Sequence, residues 1–336
     1  MQITTIVLLM CLTLCGAVNV QATVESLDRS RTEFLLPLKL YGEHLIVVQG
    51  GLGGVPEQHL LIDTGAYPSA IDAEVAHKLR LKVNPGESRA FGRNIPAGAT
   101  IIPQVEIGPI RAMGLPVIVE DLSKLSADLG IRIDALIGVD VLARANFRVD
   151  YTEKELAFGA PDHLAFSAPI EPLRGMACVG VAIHGTVVRL LIDTGAAKTV
   201  LFTQRVPWLV AKAREDMRFT SLSGRLRLDE VRLDEVEIGG AKVAPGDVFL
   251  SDGANMAGMP FDGVMATRGG NFRRIAFDFE NNIFSWDLDG TASPRQPLPS
   301  PQLTATQTGS TPAIAAAGST ADIQQDSLRG SGLESH

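Results

Sequence analysis

An apolar run that ends at Asp-Thr-Gly occurs twice along the chain. Leu60–Ala66 and Leu190–Ala196 both read Leu-Leu-Ile-Asp-Thr-Gly-Ala. An uninterrupted apolar run of this kind predicts a strand buried on both faces. The glycine that follows predicts the end of the strand. The pattern therefore places Asp63 and Asp193 at the ends of two buried strands.

The similarity continues after these two copies. Residues 133–138 correspond in pattern to residues 261–266, and residues 147–151 correspond to residues 275–279. Counted from the aspartate of each copy, these landmarks keep the same register to within two residues. The sequence therefore predicts a tandem duplication of one structural unit.

Composition changes mark the boundaries of the two units. We expect the first unit over residues 35–160, a proline-containing linker over residues 161–171, and the second unit over residues 172–290. Residues 291–336 are mainly Pro, Ser, Thr, Gln, Ala and Gly, with few large apolar side chains. Such a composition cannot form a packed core and predicts a disordered tail.

The order of these landmarks resembles the retropepsin-like aspartic proteases, specifically the bacterial relatives of the gag-polyprotein protease. The resemblance rests on the strand into Asp-Thr-Gly-Ala, on Leu136–Gly138, and on a closing hairpin with Asp150 before its turn. It implies an all-β fold with short helices, in which two tandem lobes form a pepsin-like bilobal arrangement. Ala266 replaces Gly138 in the second copy, and its methyl group predicts a less close approach of that loop to the catalytic strand.

Shorter elements surround these strands. Ala70–Leu81 has the spacing of a short helix, and Pro207 interrupts the corresponding segment of the second unit. Residues 84–100 are rich in turn-forming residues and lie where this family has its flap, a hairpin that closes over substrate. Residues 220–225 are the shorter candidate flap of the second unit. A plain surface loop at residues 84–100 is the alternative.

The resemblance makes Asp63 and Asp193 the candidate catalytic residues. Two carboxyl groups brought close together cannot both ionise cheaply, so the pKa of one rises and that of the other falls. The ionised carboxylate would take a proton from a bound water that attacks the scissile carbonyl, and the protonated one would hydrogen-bond the carbonyl oxygen. The shared proton belongs to the pair and is assigned to neither residue.

Supporting roles also follow from the resemblance. The hydroxyl groups of Thr64 and Thr194 would cross-link the two loops, and Gly65 and Gly195 would let backbone N–H groups approach the carboxylates. We interpret four further aspartates as structural, surface or turn-forming residues: Asp134, Asp262, Asp150 and Asp278.

The residue after each motif bears on the pH dependence. Pepsin-like enzymes often have Ser or Thr there, whereas this chain has Ala66 and Ala196. Without a hydroxyl group that stabilises the ionised carboxylate, its pKa is higher. We therefore expect an optimum at mildly acidic pH.

Composition and charge exclude other functions. With 336 residues, of which 46% are hydrophobic and 20% charged, the chain has enough core material for two ordinary domains. Its net charge of −8 argues against nucleic acid or an anionic membrane surface as the main partner. The sequence contains no His-Glu-x-x-His, Cys-pair or Gly-x-Ser-x-Gly pattern, so we expect no metal or cofactor.

The N-terminal segment predicts export. In residues 1–22, the apolar run Ile3–Leu14 precedes small residues and a cleavage-site pattern at Val20–Ala22. The first basic residue is Arg29, so an uncleaved membrane anchor is the alternative to a cleaved signal peptide. We expect a periplasmic or extracellular protein. Cleavage would leave Cys178 alone among apolar neighbours, as a buried thiol.

Two functions fit these patterns. The first is an exported aspartic endopeptidase that acts on protein or peptide substrates as a monomer with one intramolecular site. In a variant of this hypothesis, each lobe pairs with its twin in another molecule. The second is a non-catalytic peptide-binding or scaffold protein with a degenerate second lobe, which Ala266, Pro207 and the short second flap favour.

Overall fold

The computed structural model describes residues 33–90, 93–159, 164–210, 213–221, 224–244, 248–251, 258–268 and 271–289. The predicted signal peptide over residues 1–22 and the predicted tail over residues 291–336 lie outside these ranges. Strands dominate the described residues, and the helices are short. None of the helices in these ranges is long and apolar enough to cross a membrane.

The first lobe covers residues 33–159. Its elements are β1 (Phe34–Pro37), β2 (Lys39–Tyr41), β3 (Leu45–Leu52), β4 (Val55–Ile62), β5 (Ala70–Asp72), α1 (Ala73–Lys78), β6 (Asn84–Ala90), β7 (Arg93–Ile107), β8 (Ile110–Glu120), α2 (Ser123–Leu129), β9 (Ala135–Ile137), α3 (Val139–Leu142), β10 (Phe147–Asp150) and β11 (Glu155–Phe158). Strands β2 to β9 form a sheet in the order β2-β3-β4-β9-β5-β8-β7-β6.

The second lobe covers the described residues from 164 to 289. Its elements are β12 (Phe166–Leu173), β13 (Met176–Ile183), β14 (Thr186–Asp193), β15 (Thr199–Phe202), α4 (Pro207–Val210), β16 (Ala213–Ser221), β17 (Gly224–Val231), β18 (Val236–Ile238), β19 (Ala241–Lys242), β20 (Val248–Ser251), β21 (Gly263–Ala266), β22 (Phe272–Asp278) and β23 (Ile283–Leu288).

The strand pairing of the two lobes confirms the predicted duplication. In the first lobe, β4 pairs parallel with β9, β9 antiparallel with β5, and β5 parallel with β8. In the second lobe, β14, β21, β15 and β20 repeat the same sequence of pairings. The apolar runs before the two aspartates belong to β4 and β14, the first strands of these arrangements, and are buried, as an uninterrupted apolar strand predicts.

Both segments predicted as helix differ from the expectation. Ala70–Leu81 is helical only over Ala73–Lys78, because residues 70–72 pair with β8 and β9 as a strand. Asp72 caps this helix, since its carboxylate accepts the Glu74 N–H at 3.1 Å. In the second lobe Pro207 is the first residue of α4, a position that does not need a backbone N–H.

Two further segments are more regular than the sequence indicates. Residues 84–90 pair with residues 93–99 as a hairpin, which excludes the plain surface loop. In the second lobe, β16 and β17 pair from Ala213 to Val231, so the described residues of the predicted flap, 220–221 and 224–225, are the end of a long hairpin and not a short flap. Residues 166–171, within the predicted linker, belong to β12, which pairs with β13 and β23.

A shared sheet joins the lobes. The closing hairpin of the first lobe, β10–β11, lies beside the closing hairpin of the second, β22–β23, through antiparallel pairing of β10 with β22. Across this junction the ring of Phe147 stacks on that of Phe277 with 4.8 Å between centroids. The two lobes therefore share hydrogen bonds and an aromatic core, because each closing hairpin pairs with that of the other lobe.

We predict that Phe147→Ala lowers the free energy of unfolding by about 3–5 kcal/mol, because it leaves a cavity in the core that both lobes share. Urea denaturation followed by circular dichroism measures the loss. Phe34→Ala is the control, since Phe34 is 45% exposed, and it should change the free energy by less than about 1 kcal/mol. Equal losses in the two variants would show that the shared core does not stabilise the protein.

Candidate active site

Both aspartates lie at the end of an apolar inner strand of their lobe and are wholly buried. Asp63 directly follows β4, and its backbone N–H donates to the Ile137 carbonyl of β9 at 3.0 Å. Asp193 is the last residue of β14 and pairs in register with Ala266 of β21. A parallel neighbour strand therefore fixes the backbone of each aspartate.

A glycine two residues after each aspartate lets the two loops meet. The Gly65 N–H donates to Asp63 Oδ1 at 2.9 Å, and the Gly195 N–H donates to Asp193 Oδ1 at 2.7 Å. A Cβ atom on Gly65 would lie 2.4 Å from the carboxyl carbon of Asp193, and one on Gly195 would lie 2.9 Å from that of Asp63. Any side chain at either position would push the lobes apart, so glycine is required here for space.

The carboxyl groups of Asp63 and Asp193 form one buried pair across the lobe boundary. They lie close enough to interact electrostatically, and neither Oδ2 atom has a hydrogen-bond partner among the described residues. Burial, and then the negative charge of Asp193, raise the pKa of Asp63 well above its ordinary value. Burial also raises the pKa of Asp193. One carboxyl group therefore stays protonated at a pH where exposed aspartates are ionised.

Thr64 and Thr194 cross-link the two loops through four hydrogen bonds. Thr64 Oγ1 donates to the Ile192 carbonyl at 2.7 Å and accepts the Thr194 N–H at 3.0 Å. In the same way, Thr194 Oγ1 donates to the Ile62 carbonyl at 2.8 Å and accepts the Thr64 N–H at 3.0 Å. Each hydroxyl group thus satisfies one donor and one acceptor of the other lobe, which fixes the neighbouring carboxyl groups relative to each other.

A hydroxyl–carboxylate pair supports the first loop from within its own lobe. The Gly138 N–H donates to Ser69 Oγ at 2.9 Å, and Ser69 Oγ donates to Asp140 Oδ1 at 2.6 Å. The Val139 N–H donates to the Ala66 carbonyl at 3.1 Å. A Cβ atom on Gly138 would lie 2.4 Å from that carbonyl oxygen. The close approach therefore requires glycine at position 138.

Ala266, at the position of that glycine, does not keep the second loop away from its strand. Its N–H donates to Thr199 Oγ1 at 3.2 Å, and the residue is buried in register beside Asp193. The methyl group therefore does not prevent β21 from pairing with the strand that carries Asp193. This removes one of the features that favoured a degenerate second lobe.

Sequence reasoning missed the residues that support these loops. Ser69 accepts the N–H of Gly138, which follows β9, and Thr199 accepts that of Ala266, the last residue of β21, yet neither belongs to a motif. A signal was present, since both are hydroxyl residues six positions after their aspartate. Asp140 has no such counterpart, because Arg268 stands at the corresponding position of the second unit.

Asp134 and Asp262 have matching structural roles. Asp134 Oδ2 accepts the His59 N–H at 2.9 Å, and Asp262 Oδ2 accepts the Arg189 N–H at 2.9 Å. Asp134 is also paired with Arg132. Each carboxylate therefore ties its loop to the strand that leads into the motif, as the interpretation of these aspartates as structural implies.

Asp150 and Asp278 are turn residues. Asp150 Oδ1 accepts the N–H groups of Thr152 and Glu153, at 2.9 and 3.0 Å. Asp278 accepts both the backbone and side-chain N–H groups of Asn281, at 3.1 and 2.7 Å. These bonds close the turns of the two hairpins that form the shared sheet.

Among the described residues, the other candidate groups form no metal site and no reactive thiol. No cluster of three His, Cys, Asp or Glu within the described ranges could hold a metal ion. Cys178 is buried, and burial raises the pKa of its thiol, so it packs as a core side chain.

Comparison with known proteins gives one family match. The family model described as aspartyl protease matches residues 48–141 and 179–266, which together make up just over half of the chain. Each matched region contains one Asp-Thr-Gly motif and the loop that follows it. No curated protein matches the chain significantly. Among solved structures, the chain is similar to an aspartic proteinase from Irpex lacteus, with 14% identity and a TM-score of 0.49, over 76% of this chain and 97% of that one.

We predict that Thr64→Val lowers the free energy of unfolding by about 2–4 kcal/mol, because it leaves one buried N–H and one buried carbonyl of the other lobe without a partner. Chemical denaturation measures the change. Thr64→Ser keeps the hydroxyl group and should retain most of the stability. A valine variant as stable as the serine variant would contradict the structural role of these bonds.

Proposed function

Because the chain belongs to the aspartyl protease family, we propose that it is an exported aspartic endopeptidase whose single active site uses one aspartate from each lobe. The observation that supports this most strongly is the buried contact between the carboxyl groups of Asp63 and Asp193. Both carboxyl groups come from one polypeptide, so the proposed active species is a monomer.

The chemistry proposed for the pair is acid–base hydrolysis of a peptide bond. A water held between the two Oδ2 atoms gives a proton to the ionised carboxylate while its oxygen attacks the scissile carbonyl. The protonated carboxyl group gives its proton to the carbonyl oxygen, which yields a neutral tetrahedral diol. When the C–N bond breaks, the leaving amine takes the proton held by the first carboxyl group, and the second recovers its proton from the diol.

The proposed substrate is a protein or peptide in an extended conformation. The hairpin β6–β7, in the flap position of the family, would cover that substrate and exclude water from the pair. No metal or cofactor has a role in this mechanism, because the carboxyl pair supplies both the acid and the base.

The proposed location is the periplasm or the extracellular space. It rests on the apolar segment and cleavage-site pattern of residues 1–22, with retention of that segment as a membrane anchor the alternative. Detection of the mature N-terminus by mass spectrometry of the secreted protein would distinguish the two.

We predict that Asp63→Asn and Asp193→Asn each reduce peptide cleavage at least about 100-fold, because each removes one member of the acid–base pair. Cleavage of a denatured protein, analysed by mass spectrometry from about pH 3 to 7, measures the loss. Asp128→Asn is the matched control, since this aspartate forms an exposed ion pair on α2. Full activity in either dyad variant would refute the mechanism, and an inert wild type would favour a peptide-binding or scaffold protein.

The pKa values of the pair determine both limbs of the pH–rate profile. Activity requires one protonated carboxyl group, so it falls as pH rises through the upper pKa of the pair, which burial raises. It also requires one ionised carboxylate, so it falls as pH drops through the lower pKa. Because Ala66 and Ala196 supply no hydroxyl group to the ionised form, we expect maximal activity at mildly acidic pH, and an optimum below about pH 3 would contradict this.

We predict that Ala66→Ser and Ala196→Ser move the acid limb of the rate profile to lower pH by roughly half to one unit, equivalent to about 0.7–1.4 kcal/mol. The added O–H group donates to the ionised carboxylate, which favours the charged form. Ala197→Ser is the matched control one residue away and should leave the limb in place. An upward shift in the first two variants would overturn this explanation.

A further inference from the structure

Tyr151 of the first lobe contacts the second lobe next to the backbone that lies beside Asp193. The residue follows β10, and its hydroxyl group hydrogen-bonds Thr267 Oγ1 of the second lobe at 2.7 Å. Its backbone N–H donates to the Arg273 carbonyl at 3.0 Å, so the main chain is also held across the boundary. The tyrosine is 4% exposed and the threonine 1% exposed. This is a buried polar pair that connects the two halves of the molecule.

The Tyr151–Thr267 hydrogen bond lies one residue away from Ala266, which is the residue beside Asp193. Thr267 follows Ala266, which pairs in register with Asp193 at the end of β14. A shift of Thr267 would therefore move the backbone that lies beside this carboxyl group. The guanidinium group of Arg268, the next residue, lies over the Tyr151 ring at 5.4 Å from its centroid and adds a cation–π contact to the same side chain.

The two lobes support their loops differently. In the first lobe Asp140 anchors Ser69, which in turn holds Gly138. In the second lobe Arg268 stands where the first has Asp140, so the described residues contain no carboxylate with that function. Among the described side chains, Thr199 and Arg268 hold the second loop from within its own lobe, through the Ala266 N–H and the Phe272 carbonyl, and Tyr151 holds it from across the boundary.

The corresponding positions of the repeat do not contain this polar pair. The positions that correspond to Tyr151 and Thr267 are Phe279 and Val139. Neither has a polar side-chain atom, so the equivalent interaction of the other half contains no hydrogen bond between these side chains. The hydrogen-bonded hydroxyl groups of Tyr151 and Thr267 thus occur at the loop of the second lobe, which has Arg268 in place of Asp140.

We propose that Tyr151 is a positioning residue for Asp193, whose hydroxyl bond to Thr267 lets the first lobe hold the loop that the second lobe anchors incompletely. The proposal rests on the proposed function in so far as Asp193 is one of the two catalytic carboxyl groups. Beyond the reciprocal threonine bonds it makes the site asymmetric, since the loop beside Asp63 is anchored by Asp140 of the same lobe and the loop beside Asp193 by Tyr151 of the other lobe.

Tyr151→Phe tests the proposal by removing only the hydroxyl group. We expect kcat to fall about three- to tenfold, the range that one net hydrogen bond supplies, with KM within about twofold of the wild-type value. The upper limb of the pH–rate profile should move to lower pH, because a looser loop admits water and relieves the burial of Asp193. Hydrogen exchange of the amides of residues 264–267 should accelerate, while that of residues 136–139 should not.

Two further variants distinguish positioning from general stability. Thr267→Val should have the same effects, and the double variant Tyr151→Phe/Thr267→Val, which recreates the Phe–Val pair of the other half, should be no worse than either single variant. Tyr41→Phe is the control for loss of a tyrosine hydroxyl group elsewhere in the first lobe.

Wild-type kcat, pH profile and exchange rates in Tyr151→Phe would overturn the proposal, as would a lower melting temperature with kcat and the pH profile unchanged. An inert wild-type protein would instead refute the proposed function. In that case hydrogen exchange still decides the role of Tyr151: faster exchange limited to residues 264–267 supports it as the residue that holds this loop, and unchanged exchange refutes it.

Discussion

The structure depends on the reciprocal hydrogen bonds of Thr64 and Thr194, because they hold two buried carboxyl groups in contact. Burying two like charges side by side is strongly unfavourable, and the pair persists only because one member keeps its proton. Besides these hydrogen bonds, the shared sheet of β10 and β22 and the aromatic side chains packed on it keep the lobes together. The dyad is thus a locally unfavourable arrangement that the rest of the interface stabilises.

Duplication explains both the symmetry of the site and its departures from symmetry. Two copies of one unit supply two aspartates, two glycines and two threonines in equivalent places. A single chain therefore contains both motifs of the paired site. Once both copies are in one chain, each can change independently. Gly138 and Ala266 illustrate this, since the first must be glycine to approach Ala66 and the second accommodates a methyl group.

Local pattern predicted the elements that repeat and failed where long-range pairing decides. The two apolar runs, their aspartates and the closing hairpins are visible in sequence because each is continuous and occurs twice. Residues 70–72 have a helical pattern but form a strand, since β8 and β9 offer partners that no local window contains. Ser69 and Thr199 became visible as supports only when the fold brought their hydroxyl groups to the neighbouring loops, and Tyr151 only when the lobes met.

The most direct measurement is a pH titration of the carboxyl ¹³C resonances of Asp63 and Asp193 in the folded protein, from about pH 2 to 9. A shared proton predicts two coupled steps, each visible at both residues, with the upper step well above the ordinary range of aspartate near pH 4. Two independent single steps near pH 4 would mean that the carboxyl groups do not share a proton, and would contradict the account of one site built by two lobes.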